Sequence, residues 1–195
     1  ALYAERLAWD LGWYEDDPYG DIGRLQMEAF RAARLVIDTG IHAKGWTYDE
    51  ALAFFVENVG FNSGDNVSSD FEISRYIAWP GQSASYMIGM LEILELRQEA
   101  MEELGGNFNL KEFHNVLLSN GSMPLDVLEK VVQDYITAKQ EEVSTATDAF
   151  LADLRQTGGE IVFSSYRNGE SEIFTMTADG AEITPLTTNR NRNSR

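Results

Sequence analysis

Two segments of the chain combine side chains that can bind a peptide with the residues that end helices. They are residues 34–46, RLVIDTGIHAKGW, and residues 75–89, RYIAWPGQSASYMIG. Guanidinium, imidazole, primary amide and phenol groups occur there beside a glycine or a proline. Side chains at helix ends are held by the scaffold and still face open space. These segments therefore hold the candidate binding and catalytic residues.

The first segment places a carboxylate and an imidazole around a glycine. Gly40 predicts the end of a helix, with Asp38 and His42 on either side of it. A carboxylate near an imidazole raises the pKa of the ring and fixes its orientation. The local sequence favours a functional role for His42 and a structural one equally.

A polar stripe leads up to this glycine. Its spacings of 4, 3, 3 and 4 residues put its members on one helix face: Arg24, Glu28, Arg31, Arg34 and Asp38. The simplest interpretation is a solvated face of ion pairs. The alternative is that the end of the stripe at Asp38 belongs to a site.

The second segment places an amide and a phenol at the start of a long helix. After Pro80 and Gly81, the side chains of Gln82 and Tyr86 lie on successive turns. Backbone N–H groups are free at such a helix start, and the helix dipole favours anions. Tyr86 can donate to an oxyanion and Gln82 can hold a peptide main chain. An equal alternative is that both residues only close the helix end.

The histidines do not form a metal site by themselves. His42 and His114 are the two histidines, and the chain has no cysteine. Two isolated imidazoles cannot supply the three protein ligands of a zinc site. His114 lies among apolar residues, which favours a structural role. We predict no metal site within this chain.

Composition excludes several classes of protein. The net charge of −17, from 32 acidic and 15 basic residues, disfavours binding to nucleic acid. The apolar fraction of 44% is typical of a globular protein. No apolar run approaches the roughly 18 residues of a membrane span. The missing cysteines exclude disulfides and thiolate metal sites.

The elements that position these residues are mainly helices. After a first helix without an N-cap, Asp17 and Pro18 start a helix predicted to end at Gly40, and Thr47 to Glu50 form a capping box. Residues 61–69 are predicted to form a loop. Further helices are expected over residues 70–78, 82–104, 110–119 and 124–154. The aromatic residues most simply assigned to the core are Trp9, Trp13, Tyr14 and Tyr19.

From Gly158 onward the pattern changes to short β-type runs. Residues 160–165, 172–176 and 182–186 are the predicted strands. Asn168-Gly169 and Asp179-Gly180 between them are strong hairpin signals. The sequence therefore predicts a mainly α chain that ends in a three-stranded antiparallel meander.

Residues 1–136 resemble the C-terminal part of a bacterial family called domain of unknown function 885. The matching segments are residues 1–6, 24–28, 34–46, 75–89 and 113–126. Members of this family are large, mostly helical proteins regarded as zinc metallopeptidases, and they are often exported or lipid-anchored. The resemblance implies a peptide substrate and a periplasmic or other extracytoplasmic location.

The resemblance also implies roles for individual residues. The zinc-binding helix and a Glu-Gly-Trp motif of the family precede Ala1, so this chain is expected to be a piece of a zinc enzyme, inactive alone. His42 and Tyr86 would stabilise the oxyanion, and Arg34 and Gln82 would position the peptide. Glu5 and Asp38 would support the site without binding zinc.

The end of the chain resembles one blade of a TolB-like β-propeller over residues 159–187. Residues 159–195 are thus expected to begin a propeller, and residues 137–158 to form a helical spacer. A propeller would bind a protein partner or restrict access of substrate. The competing interpretation is a non-catalytic helical scaffold joined to a propeller interaction domain.

Overall fold

The computed structural model describes residues 1–59, 66–167 and 170–187. These residues are mainly helical, with a small antiparallel sheet near the C-terminus, as the sequence predicts. The described helices are α1 (Leu2–Asp10), α2 (Pro18–Lys44), α3 (Tyr48–Val59), α4 (Asn66–Ala78), α5 (Ser85–Leu104), α6 (Leu110–Ser119) and α7 (Leu125–Thr157). A 3-10 turn, Gly105–Asn107, follows α5. The strands are β1 (Glu160–Arg167), β2 (Glu170–Thr177) and β3 (Thr184–Pro185).

The residues divide into two compact units, 1–132 and 133–195. Helix α7 covers the predicted spacer as far as Thr157. The three-part division into residues 1–136, 137–158 and 159–195 stays a prediction.

Local capping explains where α2 and α3 begin. The side chain of Asp17 accepts a hydrogen bond from the backbone N–H of Gly20 at 2.9 Å, with Pro18 as the first helical residue. The Glu50 carboxylate accepts from the backbone N–H of Thr47 at 2.8 Å, and the Glu50 N–H donates to the Thr47 hydroxyl at 3.3 Å. Both helix starts are confirmed, because these bonds satisfy N–H groups that have no partner within the helix.

Helix α2 does not end at Gly40, and that prediction was wrong. The helix continues to Lys44 and ends at Gly45, whose φ of 71° is left-handed. Gly40 is buried, and a Cβ on it would overlap the ring of Trp46. The backbone N–H of Trp46 also donates to the Gly40 carbonyl at 2.9 Å. Here glycine permits close packing of an aromatic ring, and the next glycine provides the helix end.

Helix α4 also differs from its prediction. It begins at Asn66, so residues 66–69 are helical where a loop was expected. The rest of that predicted loop, residues 61–65, lies outside the described residues.

Helix α2 lies between two groups of helices. One face buries Ala33 and Ile37 against α3 and α4, in a core that includes Phe55, Ile73 and Tyr76. The other face contributes partly buried residues to a second core, formed by α1 and α5: Ala32 and Leu35, packed on Leu2, Met87 and Met90. Because α2 packs against both cores, the positions of its polar side chains are fixed.

The predicted aromatic core around α1 is wrong. Trp9 is 44% exposed, Trp13 75% and Tyr19 84%, while Tyr14 is half-buried. The guanidinium carbon of Arg6 lies 4.7 Å from the Trp9 ring centre. Aromatic content alone did not indicate burial, because a ring can also pack under a solvated cation.

The second unit contains the predicted meander. Strands β1 and β2 pair antiparallel with Phe163 opposite Phe174, and β3 pairs with the other edge of β2. The rings of these two phenylalanines stack with centres 5.7 Å apart. Asp179 accepts from the Thr177 hydroxyl at 2.6 Å, and Gly180 has a φ of 80°, so the Asp-Gly turn forms as predicted. Asn168 and Gly169, the other predicted turn, lie outside the described residues.

Candidate functional site

Arg34 is the centre of the candidate site. It lies in α2 and is only 2% exposed. Its Nη2 donates to the Gln82 side-chain oxygen at 3.1 Å. Its guanidinium carbon lies 5.3 to 5.6 Å from the ring centres of Phe30, Tyr76 and Tyr86. Aromatic faces attract a cation, so three rings and one amide surround this charge.

No carboxylate neutralises Arg34 within the described residues. Its Nε is buried and has no hydrogen-bond partner there. Burial lowers the pKa of the Arg34 guanidinium, and the neighbouring charge of Arg31 lowers it further, while Tyr76 and Glu72 act in the opposite direction. A buried cation without a carboxylate is costly, since desolvation opposes the charged form.

Glu72, whose charge acts on Arg34, already has other partners. It accepts from the Tyr76 hydroxyl and from Arg75, each at 2.6 Å. Burial and this bond to Glu72 raise the pKa of Tyr76 above its usual range. Tyr76 therefore remains a neutral phenol whose ring packs against Arg34.

Asp38 fixes the turn that holds Gln82 against α2. Both of its carboxylate oxygens accept from the Gly81 N–H at 3.0 Å, and one accepts from the Ser83 hydroxyl at 2.6 Å. Gly81 has a φ of 79°, and both Asp38 and Ser83 are buried. Asp38 thus positions Gln82, and its carboxylate is directed to this turn and not to His42 as the sequence suggested.

His42 lies two turns beyond Arg34 on the same helix. Its side chain is exposed, and its Nε2 is 3.0 Å from the backbone carbonyl oxygen of Tyr76. A carbonyl only accepts, so Nε2 carries the proton and Nδ1 is the nitrogen left for other partners. His42 is connected to the Arg34 cluster through Tyr76.

Tyr86 is the exposed member of the cluster. It is 39% exposed, and its ring centre lies 4.5 Å from the guanidinium carbon of Arg31 and 5.4 Å from that of Arg34. A cleft of about 230 Å³ borders Tyr86 and Met90. A ligand can therefore reach the ring from solvent.

Comparison with known families decides which family this is. The family model described as "Bacterial protein of unknown function (DUF885)" matches residues 1–132, which contain the whole cluster. The chain belongs to the DUF885 family. Comparison with curated proteins gives no match.

A solved structure of similar sequence supports the fold of this DUF885 chain. It is described as "the putative lipoprotein from Colwellia psychrerythraea" and is 49% identical, with a TM-score of 0.66 over 70% of the chain. The DUF885 chain spans only 23% of the length of that protein. Within the described residues, every helix is too short or too polar to cross a bilayer.

The structure brings together only some of the predicted site residues of the DUF885 chain. One cluster contains Arg34, Gln82 and Tyr86. Asp38 stabilises the turn that precedes Gln82 by accepting a hydrogen bond from the Gly81 N–H. Glu5 is an exposed residue of α1, and its side chain makes no hydrogen bond or ion pair in the described part of the chain. The convergence of His42 and Tyr86 on one surface stays a prediction.

Sequence reasoning missed residues that complete the cluster. Tyr76 and Ser83 were not singled out, although both lie within the second segment. Arg31 was noted only as a member of the polar stripe. Its spacing of three residues from Arg34 was the available signal, because such residues share a helix face.

The solvated interpretation of the polar stripe was wrong. Arg24, Arg34 and Asp38 are buried, with exposures of 7%, 2% and 6%. Arg24 is nevertheless ion-paired, to Asp21 at 2.7 Å and to Glu28 at 3.0 Å. The stripe faces neighbouring side chains instead of water, since both sides of α2 are covered.

The described residues do not fit a zinc ion. They contain no group of three or more histidine or carboxylate side chains arranged to hold a metal. His114 is half-buried and bonded to the Tyr3 hydroxyl at 2.7 Å, which fits the structural role expected for it. We therefore derive no catalytic step through a metal from these residues.

Proposed function

We propose that this chain provides the peptide-binding side of the active site in a zinc-dependent peptidase. The proposal rests on one observation. The buried Arg34 cation lies beside the exposed Gln82 and Tyr86 and has no carboxylate partner among the described residues. A guanidinium, an amide and a phenol match the carbonyl, N–H and carboxylate groups of a peptide. We infer the zinc ion only from the resemblance to metallopeptidases, and we propose that other parts of the protein provide its ligands.

Two side chains of the cluster have free donors for a substrate. The Gln82 oxygen accepts from Arg34, which leaves its NH₂ group to donate to a peptide carbonyl. The Tyr86 hydroxyl is placed on an exposed ring and donates to the oxyanion that forms on the scissile carbonyl. Arg34 holds Gln82 in position.

His42 has a conditional role in this proposal. Its Nε2 proton bonds to the Tyr76 carbonyl, so a neutral His42 presents only an acceptor at Nδ1. It donates to an oxyanion only as the imidazolium.

The location of the protein is also part of the proposal. The solved relative is described as a "putative lipoprotein", and on this ground we propose that this protein acts outside the cytoplasm and is held by a lipid anchor. We infer the propeller from the sequence resemblance of residues 159–187, and the antiparallel β1–β2–β3 meander is compatible with it. We propose that the propeller binds a protein partner or limits which peptides reach the site.

The proposal is tested with Tyr86→Phe in the full-length protein. This change keeps the ring and removes one donor, so kcat for peptide hydrolysis should fall about 100-fold with little change in KM. Tyr19→Phe, on a ring that is 84% exposed, is the matched control and should leave kcat unchanged. An unaltered kcat in Tyr86→Phe would remove Tyr86 from the mechanism.

Metal removal separates the enzyme from the scaffold interpretation. A chelator should abolish hydrolysis by the full-length protein, and added zinc should restore it. If no preparation hydrolyses peptides with or without zinc, the non-catalytic scaffold is the better function.

A further inference from the structure

We propose that Arg31 and Arg34 select peptides with a free C-terminal carboxylate, which Arg31 binds beside the Tyr86 ring. This inference rests on the proposed function and names its substrate class. Arg31 is half-buried and borders the exposed ring, so it makes the contact. Arg34 is buried next to Arg31 and does not contact the peptide. Its positive charge attracts the carboxylate, and its hydrogen bond holds Gln82 in position.

The arginines of the first unit differ in whether they have a carboxylate partner. In the described part of residues 1–132, four of the six have a carboxylate partner: Arg6, Arg24, Arg75 and Arg97. Arg31 and Arg34 have none among the described residues. They are one helix turn apart and contact the same ring.

Two unneutralised cations at one place are unexpected in this protein. The chain has 32 acidic residues against 15 basic ones, so carboxylates are abundant. Arg31 and Arg34 nevertheless repel each other, and the charge of Arg31 lowers the pKa of Arg34. A bound anion would relieve this repulsion, because opposite charge stabilises both cations.

The chemistry of the site selects a carboxylate as that anion. A guanidinium binds a carboxylate through paired N–H donors, and the nearby Gln82 NH₂ group fits an adjoining peptide carbonyl. Polyanions such as nucleic acid are repelled by the net charge of −17. Tyr86 is 39% exposed and Arg31 is half-buried, so a short peptide end can reach both side chains from solvent.

The test compares two ligands that differ only at the C-terminus. N-acetyl-dialanine and its carboxamide are titrated into the 195-residue chain, with the Arg Nε–H and Tyr ring signals followed by NMR. The acid should bind at least about 10-fold more tightly than the amide, and this ratio should shrink at high salt. Equal binding, or no binding of either ligand, would overturn the inference.

Substitution then assigns the effect to Arg31. In Arg31→Gln the preference for the acid over the amide should disappear. Binding of the amide should be unchanged, and this result would show that the site is still folded. Arg6→Gln removes a guanidinium that packs on Trp9 at 4.7 Å and should keep the preference. A preference that survives in Arg31→Gln contradicts the assignment.

Hydrolysis by the full-length protein distinguishes this inference from the proposed function. Zinc-dependent cleavage with equal kcat/KM for acid and amide peptides would keep the proposed function and overturn the carboxylate preference. Discrimination in binding without any hydrolysis would keep the carboxylate site and overturn the peptidase.

Discussion

Two buried arginines on one helix behave in opposite ways. Arg24 and Arg34 are both in α2, with exposures of 7% and 2%. Arg24 lies between two carboxylates, Asp21 and Glu28, with its guanidinium also near the Trp9 ring. Arg34 has aromatic rings and one amide, and no carboxylate among the described residues. Burial alone therefore does not distinguish the two arginines, whereas the presence or absence of a carboxylate partner does.

The difference has an energetic consequence. A buried ion pair roughly compensates the desolvation of its two charges, whereas a single buried cation does not. Proteins retain such local instability where a ligand completes the interaction. Substitutions along α2 test whether this difference between the two arginines is real.

The largest expected effect comes from Gly40→Ala, which disturbs the Arg34 end of the helix. Its new methyl group would overlap the Trp46 ring, so we expect a loss of about 1–3 kcal/mol in the free energy of unfolding. Gly23→Ala, near Arg24 with no atom close to its added Cβ, should instead stabilise by about 0.5–1 kcal/mol. Urea unfolding of both variants measures this, and two effects of the same sign would contradict the role of Gly40.

A smaller effect is expected from replacing each arginine by methionine. Arg24→Met leaves two carboxylates without their cation and should cost about 1–2 kcal/mol of unfolding free energy. Arg34→Met removes a desolvated charge and should change stability by less than about 0.5 kcal/mol, although it should weaken peptide binding. Thermal or urea unfolding measures whether Arg24→Met loses more stability than Arg34→Met. An equal loss in both variants would mean that Arg34 is a structural residue too.

The smallest effect concerns pH and the two histidines. Burial, followed by the charge of Arg97, lowers the pKa of His114 below its ordinary 6.5. The unfolded chain then binds the proton more readily, so this contribution to stability is complete above about pH 6.5 and is lost as the pH falls below it. His114→Gln should flatten the dependence of unfolding free energy on pH in that range. His42→Gln leaves the Tyr3–His114 bond intact and is the control, and an unchanged slope in His114→Gln would exclude this group as the source.

Local signals predicted the elements well. Asp17 and the Thr47–Glu50 pair form the caps that their types and spacing indicate, because a cap depends on a few adjacent residues. The Asp179-Gly180 turn, which lies between β2 and β3, follows from turn chemistry in the same way. The segments that hold Arg34, Gln82 and Tyr86 were also identified from residue types.

The contacts that these residues make depend on the tertiary structure. The sequence alone identifies Gly40 and Asp38 as residues of interest. The structure shows that Gly40 makes room for the Trp46 ring and that Asp38 accepts a hydrogen bond from the Gly81 N–H. The spacing of Arg24 and Arg34 along one helix is fixed by sequence, yet their counterions depend on which side chains surround each position. Arg24 pairs with Asp21 and Glu28, three and four residues away, so its counterions follow from local spacing. Arg34 has Asp38 at the same spacing of four, but that carboxylate accepts hydrogen bonds from Gly81 and Ser83, which come from a distant part of the chain. Local spacing alone therefore does not show that Arg34 lacks a carboxylate partner among the described residues.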